Sequence, residues 1–299
     1  MLKLISSLAA GAGLLMLAAW GYTPFAEAAV NPQIKVGGSL ESIHDSSVTD
    51  AEIGFRLIFN SLLEDIHESF TIKIYDSNQI LVDKFKSGEI EGILVSSLQF
   101  LKLDKYLHPT GRYAVQYGPD LKQPYLVLIR KTGKAIKLAD FRGGRLSYGT
   151  GHSVGRRFLD VTLMQQGYPA SERFFREIET VKEVNTSIVN LYFGSVDVAL
   201  VPKHNYDLAL ELNPQLADKL QILTQSKPMI YQAFGMRYDF PQDRLERIDS
   251  RVLEPIPKQR TEKLFKTFRI KSINKISFES LQEVIELDAA YNALIQAAP

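Results

Sequence analysis

The chain has 299 residues, with 35 Lys and Arg against 34 Asp and Glu, so its formal net charge at pH 7 is +1. Because binding a phosphate backbone requires a strongly basic face, this balance argues against a nucleic acid as the partner. The chain contains no cysteine, which excludes a thiol nucleophile, a thiolate metal site and disulfide bonds.

The first 28 residues have the pattern of a signal peptide. Lys3 precedes an apolar run rich in Ala and Gly, and Ala26-Glu27-Ala28 has the small-x-small form of a signal-peptidase site. We therefore expect cleavage after Ala28 and export to the periplasm. A retained membrane anchor is the alternative, but the run is short for a membrane span and glycines interrupt it.

Beyond residue 28, apolar periodicity predicts alternating strands and helices. In the first half, strands are expected at 33–37, 70–75, 90–95, 113–116 and 125–130, and helices at 51–66, 78–87 and 98–105. Asp50 is the expected N-cap of the first helix, and Gly88 ends the second.

The second half opens with one helical turn at 138–141. Strands or extended segments are expected at 145–148, 173–178, 196–201, 221–224 and 231–237, and helices from 154, at 181–193 and at 203–212. The remainder is expected to be helical, with breaks at Pro255 and Pro257.

The order strand, helix, strand, helix, strand occurs in residues 34–97 and again in 145–203. This α/β pattern, with mainly parallel strands, predicts two lobes and a hinge of two extended crossings near 125–130 and 228–236. We expect lobe one to contain residues 29–130 and 229–299, with the C-terminal helices, and lobe two to contain residues 131–228.

Residues 149–155 read Gly-Thr-Gly-His-Ser-Val-Gly, between a strand pattern and a helix pattern. A glycine-rich turn at a helix start leaves backbone N–H groups unpaired, and with the positive end of the helix dipole they can seat an anion. Thr150, Gly151, His152 and Ser153 are the candidate ligand contacts. A tight turn that binds nothing is the alternative, although three glycines in seven residues exceed what a turn needs.

The same letters contain Gly-x-Ser-x-Gly, the nucleophile elbow of serine hydrolases. Ser153 would then need an acid and a histidine downstream. His204 is the only histidine after Ser153, and Asp197 is the nearest acid before it. Because these two would share one strand and its exit loop, a serine esterase is the weaker interpretation. We expect no catalytic residues.

Small hydroxyls also follow strands of the first half. Ligands of open α/β sheets bind beyond the carboxyl ends of the strands, where this chain places Ser39, Ser96 and Ser97. Tyr231, near a crossing, is a further candidate contact. These groups suit an oxyanion or a small polar ligand. None of the five histidines pairs with another at metal spacing, so we expect no metal and no cofactor.

Four segments resemble type II periplasmic solute-binding proteins, specifically the family of phosphonate- and phosphite-binding components of ABC transporters. They are FKSGEIEG at 85–92, LADFRG at 138–143, the turn at 149–155 and FGSVDVA at 193–199. Their order and spacing carry the resemblance over about residues 34 to 255. In that family the third segment holds the acid group of the ligand at a helix start.

The resemblance implies a Venus-flytrap fold, no catalysis, and capture between the lobes of a small anionic or polar ligand, foremost a phosphonate-like oxyanion. It also implies a membrane permease of an ABC transporter as the partner of what we expect to be a monomer. Related proteins act as ligand sensors for membrane signalling proteins, so a membrane sensor protein is the alternative partner.

The signal-peptide pattern makes a direct prediction about the exported protein. Because Ala26-Glu27-Ala28 fits signal peptidase, mass spectrometry of the periplasmic fraction should find an N-terminus at or near Ala29. An intact Met1 on protein from the membrane pellet would instead establish a retained anchor.

Overall fold

The structure is a computed structural model that describes residues 33–43, 47–133, 136–254 and 259–297. The predicted signal peptide lies outside these residues. Within the described part of the chain, no helix is long and apolar enough to cross a membrane.

Two mixed β-sheets form the framework. The first contains β1 (Gln33–Ser39), β2 (Ser69–Tyr75), β3 (Gly92–Ser96), β4 (Leu107–Gln116), β10 (Gln232–Arg237) and β11 (Ser272–Lys275), in the order β11-β4-β10-β3-β1-β2. The second contains β5 (Tyr125–Arg130), β6 (Arg145–Gly149), β7 (Glu177–Val181), β8 (Val198–Pro202) and β9 (Leu220–Gln225), in the order β7-β6-β8-β5-β9.

Helices cover these sheets. They are α1 (Val48–Leu63), α2 (Asn78–Ser87), α3 (Ser97–Leu101), α4 (Ser153–Gln165), α5 (Ser171–Phe174), α6 (Val184–Phe193), α7 (Lys203–Leu212), α8 (Leu216–Lys219), α9 (Gln242–Val252), α10 (Gln259–Thr267) and α11 (Gln282–Ala297). Helices α2 and α6 occupy equivalent places in the internal repeat, and both end on a glycine with positive φ, Gly88 at 81° and Gly194 at 84°.

Parallel pairing is confined to β2-β1-β3 in the first sheet and β7-β6-β8 in the second. Strands β10 and β5 enter the two sheets antiparallel to their neighbours. The prediction of mainly parallel strands therefore holds for the repeated strand–helix units only. Strands β5 and β10 are the ones that arrive from the other sheet, and β4, β9 and β11 are paired antiparallel as well.

Three local predictions were wrong. Ser47, not Asp50, caps α1, because its hydroxyl accepts the Asp50 backbone N–H at 3.1 Å. The strand expected at 173–178 is divided between α5 and β7. Strand β11 lies in a segment expected to be helical, where it pairs with β4 through contacts that are remote in sequence.

The chain passes between the sheets twice, through residues 117–124 and 226–231. The two crossings lie side by side, because the backbones of Gln123 and Met229 exchange hydrogen bonds of 3.0 and 3.1 Å. Strand β5 begins directly after the first crossing and pairs with β8 and β9 of the second sheet. The lobe boundary expected after residue 130 therefore does not coincide with the change of sheet.

The C-terminal helix α11 packs on the half of the protein that contains the second sheet. Val284 and Leu287 are buried in the same apolar cluster as Phe158 of α4. Arg157 of α4 holds Asp288 at 2.7 Å, and its guanidinium lies 3.8 Å from the centre of the Tyr291 ring. The last helix thus returns from the first sheet to the second, although the predicted boundaries grouped it with the first.

Truncation of Leu287 should test this packing. Leu287→Ala leaves a void in a buried cluster, so the free energy of unfolding should fall by about 2–4 kcal/mol in chemical denaturation. Ile295→Ala on the same helix is the control, because Ile295 is 47% exposed and its loss should change stability by less than about 0.5 kcal/mol. Equal effects of the two substitutions would contradict the packing of α11.

Candidate functional site

A cleft of about 1190 Å³ lies between the two halves. Its walls come from α1 and the 265–271 segment on the side of the first sheet, and from the starts of α4, α6 and α7 on the side of the second. Both crossings form its floor. The cleft therefore lies where sequence reasoning expected a ligand, beyond the carboxyl ends of strands in both sheets.

The glycine-rich turn folds as predicted into the start of α4. Ser153 is the first helical residue and His152 its N-cap, while Gly151 has a φ of 84°. His152 is 2% exposed and lines the cleft. The Thr150 hydroxyl donates to the Val181 carbonyl at 3.1 Å, so it stabilises the turn.

The hydroxyl of Tyr125 occupies part of the predicted anion seat. It lies 2.9 Å from His152 Nδ1, and which of the two donates depends on the imidazole tautomer. The Tyr125 ring lies against Gly155 in the first turn of α4. Burial raises the pKa of Tyr125 far above its ordinary value, which keeps the phenol neutral. A neutral hydroxyl therefore lies beside the N-cap residue of α4.

Glycine at position 155 is required for this arrangement. A Cβ placed there would lie 2.5 Å from the Tyr125 ring. The third glycine of the motif thus admits the tyrosine to the helix start. The amides of Ser153 and Val154 have no intrahelical acceptor, and the Ser153 hydroxyl lies at the same end of the helix. That hydroxyl is buried and has no hydrogen-bond partner among the described residues.

The serines predicted on the first sheet are buried and engaged locally. Ser39 Oγ donates to Ser42 Oγ at 3.2 Å, Ser96 Oγ accepts the Gln99 amide, and Ser97 Oγ donates to the Ile230 carbonyl at 2.7 Å. Among the described residues that line the cleft, Ser42 is the serine on this side. A ligand role for Ser39, Ser96 and Ser97 stays a prediction.

Aromatic side chains form the floor of the cleft. The His204 ring lies between Tyr117 and Tyr231, with centroid distances of 6.3 and 6.2 Å and interplanar angles of 17° and 26°. The Tyr231 hydroxyl donates to the Pro124 carbonyl at 3.0 Å, and its ring lies 4.4 Å from Tyr125. Tyr231 was expected in the cleft, whereas Tyr117 was not, because no motif marks it.

The charged lining is more acidic than basic. Five carboxylate side chains and three cationic ones are found there among the described residues: Asp50, Glu183, Asp207, Glu211 and Glu262, and Lys266, Arg269 and Lys271. Two of the carboxylates have cationic partners, Asp207 with Lys203 and Glu262 with Lys266. A small anion in this cleft would therefore depend on neutral donors and the start of α4 rather than on an arginine cluster.

The esterase geometry is not formed within the described residues. Ser153 Oγ makes no hydrogen bond to a histidine there, and the neighbouring His152 directs Nδ1 at Tyr125. His204 stacks between the tyrosines of the floor. Nor do the described residues contain a cluster of three or more His, Asp or Glu side chains that could hold a metal ion.

Two sheets joined by paired crossings, with a cleft between them, define a two-lobe periplasmic binding protein. The chain matches the family described as "ABC transporter, phosphonate, periplasmic substrate-binding protein" over residues 43–281. The chain belongs to this family. Both the resemblance and the two-lobe fold expected from the sequence are thereby confirmed.

Solved structures have the same fold at low sequence identity. PhnD1 from Prochlorococcus marinus, in complex with methylphosphonate, is 15% identical with a TM-score of 0.66, covering 88% of this chain and 99% of that one. A binding component of an ABC phosphonate transporter from Pseudomonas aeruginosa is 9% identical, with a TM-score of 0.66 and 89% of each chain covered.

A Xanthomonas citri protein bound to ATP is 12% identical with a TM-score of 0.65, covering 89% of this chain and 99% of that one. No curated protein matches the chain. At these identities the likeness concerns the fold alone, so it does not specify the ligand.

Removing the Tyr125 hydroxyl should destabilise the start of α4. Tyr125→Phe deletes the hydroxyl that lies 2.9 Å from the buried Nδ1 of His152, the N-cap of α4, so the free energy of unfolding should fall by about 1–3 kcal/mol. The control is Tyr238→Phe, since Tyr238 is 56% exposed and should tolerate the change. Unchanged stability of Tyr125→Phe would mean that this hydroxyl does not hold His152 in place.

Proposed function

We propose that this protein captures a small phosphonate-like oxyanion between its two lobes and delivers it to an ABC transporter permease from the periplasm. The observation that carries the proposal is the cleft itself, which takes its lining from both halves and contains the start of α4. Membership of the phosphonate substrate-binding family supports the ligand class. Methylphosphonate, which PhnD1 from Prochlorococcus marinus binds, is the first ligand to test.

The acid group would dock at the start of α4. His152 lines the cleft, the Ser153 hydroxyl has no partner among the described residues, and the first two amides of the helix have no intrahelical acceptor. The positive end of the helix dipole favours a negative charge at this position. Thr150 and Gly151 would shape the turn, since the Thr150 hydroxyl already donates to Val181.

Closure of the lobes would complete the ligand shell. The two crossings are short and paired at Gln123 and Met229, so rotation about them can bring the walls together without unfolding either sheet. The ligand must bind the closed form better than the open form, or it cannot shift the equilibrium. On the first-sheet side, the Ser42 hydroxyl lines the cleft but already donates to the carbonyls of Ser39 and Leu94 at 2.7 and 3.0 Å, so it would have to give up these bonds to donate to the ligand.

We also propose that the protein catalyses no reaction. The Gly-His-Ser-Val-Gly segment holds its histidine against Tyr125 rather than against Ser153. Without a base that removes its proton, a serine hydroxyl is a weak nucleophile. The segment therefore acts as a binding turn.

Titration calorimetry of the mature protein with methylphosphonate tests the proposal. Wild type should bind, and Ser153→Ala should weaken binding by roughly 0.5–3 kcal/mol, the range for a hydrogen bond to a neutral or charged group. Thr162→Ala is the matched control: it removes a hydroxyl of the same helix that donates to the Phe158 carbonyl, and it should leave affinity unchanged.

Small-angle scattering on the same samples should give a smaller radius of gyration with methylphosphonate than without it. Tight binding at constant radius would argue against closure. Failure of methylphosphonate, phosphate and sulfonates to bind would refute the oxyanion ligand. Ser153-dependent hydrolysis of p-nitrophenyl esters would establish the esterase instead.

A further inference from the structure

We propose that Gln232 contacts the ligand and recognises a hydroxyl group next to its acid group. This inference rests on the proposed function, because it specifies which phosphonates the cleft prefers. It concerns a residue that no motif identifies and that lies on the floor of the cleft rather than at the start of α4.

Gln232 is the first residue of β10 and is only 6% exposed, yet it lines the cleft. Its Nε2 donates to the Tyr117 hydroxyl at 3.2 Å. Its Oε1 is buried and has no hydrogen-bond partner among the described residues. Buried carboxamide oxygens are almost always paired, so this acceptor requires a donor that the described residues do not supply.

The donor has to come from the cleft. Gln232 also borders a cavity of about 30 Å³ in the core of the first sheet, whose other lining residues include Phe59, Leu94, Val115 and Phe234. Tyr113 lines it too, but the Tyr113 hydroxyl is bonded to Asp249 at 2.6 Å. A water molecule needs two or more polar partners, and this cavity offers only the amide.

The chemistry of the site favours a hydroxyl over an ammonium group. An ammonium would lose its hydration on reaching this floor, and a single neutral carbonyl does not replace that hydration. A hydroxyl needs one acceptor and is desolvated at lower cost. The ligand class is therefore a small hydroxyalkyl phosphonate, with its acid group at α4 and its hydroxyl on Gln232.

A purely structural role is the competing explanation, because the bond to Tyr117 ties the first crossing to the start of β10. Tyr117→Phe separates the two roles, since it removes that tie and leaves Oε1 in place. Gln123 provides a matched control. It is also 6% exposed, lies on the other crossing and lines the cleft, but its Nε2 donates to the Asp120 carbonyl at 2.9 Å.

The test compares hydroxymethylphosphonate with ethylphosphonate, which have the same number of heavy atoms and differ by a hydroxyl in place of a methyl. In calorimetry on the mature protein, wild type should bind hydroxymethylphosphonate about tenfold more tightly, the effect expected for pairing a buried acceptor. Gln232→Met should bind both probes equally. Gln123→Met and Tyr117→Phe should keep the preference.

Each contrary result has a distinct meaning. Equal binding of the two probes by wild type, or a preference that survives in Gln232→Met, would overturn this inference and leave the proposed function standing. Loss of the preference in Tyr117→Phe as well would assign Gln232 to the structural tie. If neither probe nor methylphosphonate binds, the proposed function fails and this inference fails with it. If thermal unfolding shows no folded Gln232→Met protein, Gln232→Leu provides the same comparison.

Discussion

The pairing of the two crossings is the constraint on which the rest of the structure depends. Each lobe has its own sheet, and the two segments that exchange hydrogen bonds at Gln123 and Met229 carry the chain from the first sheet to the second and back. Immediately after the first crossing, the Tyr125 amide donates to Ser226 Oγ and the Tyr125 carbonyl accepts from the Ser226 amide, both at 2.9 Å. The position of Tyr125, and with it the start of α4, is therefore set by the crossings.

This coupling links the floor of the cleft to its wall. The ring of Tyr125 contacts Tyr231 on the second crossing, while its hydroxyl lies at the first turn of α4. A movement at the crossings would thus reach the helix start through one rigid side chain. The crossings and the start of α4 therefore share this one residue.

Local patterns predicted much of the fold. Helix α2 with its terminal Gly88, helix α7, strand β5 and the turn at 138–141 follow from periodicity and capping chemistry, because their determinants lie within a few residues. Strand β11 and the packing of α11 on α4 depend on partners over 100 residues away. No local pattern contains that information, which is why β11 was expected to be helical and why the packing of α11 on α4 was not anticipated.

In the candidate site, too, the sequence predicted the features with local determinants and missed those that depend on remote partners. The glycine-rich turn can be identified from the sequence, because its glycines and hydroxyl residues lie together at 149–155. Tyr117 and Gln123 are single polar residues of the first crossing, and Gln232 opens β10 directly after the second, so they become neighbours only when the two crossings pair. The sequence correctly predicted serines at strand ends. It could not predict that Ser97 donates to the Ile230 carbonyl, because that partner is remote in sequence. Whether a hydroxyl is free for a ligand depends on its tertiary partners, so residue type alone could not decide it.

The balance of charge in the cleft bears on how the protein can both capture and release its ligand. An arginine pair would hold an oxyanion strongly in either conformation, because a full charge acts at long range. The cleft lining has five carboxylates against three cationic side chains among the described residues, which gives directed hydrogen bonds a large share of the attraction, and these require correct geometry. In the proposed mechanism, affinity would depend on closure, since only then would donors from both walls reach the ligand. Opening at the transporter would accordingly release it without the need to separate an ion pair.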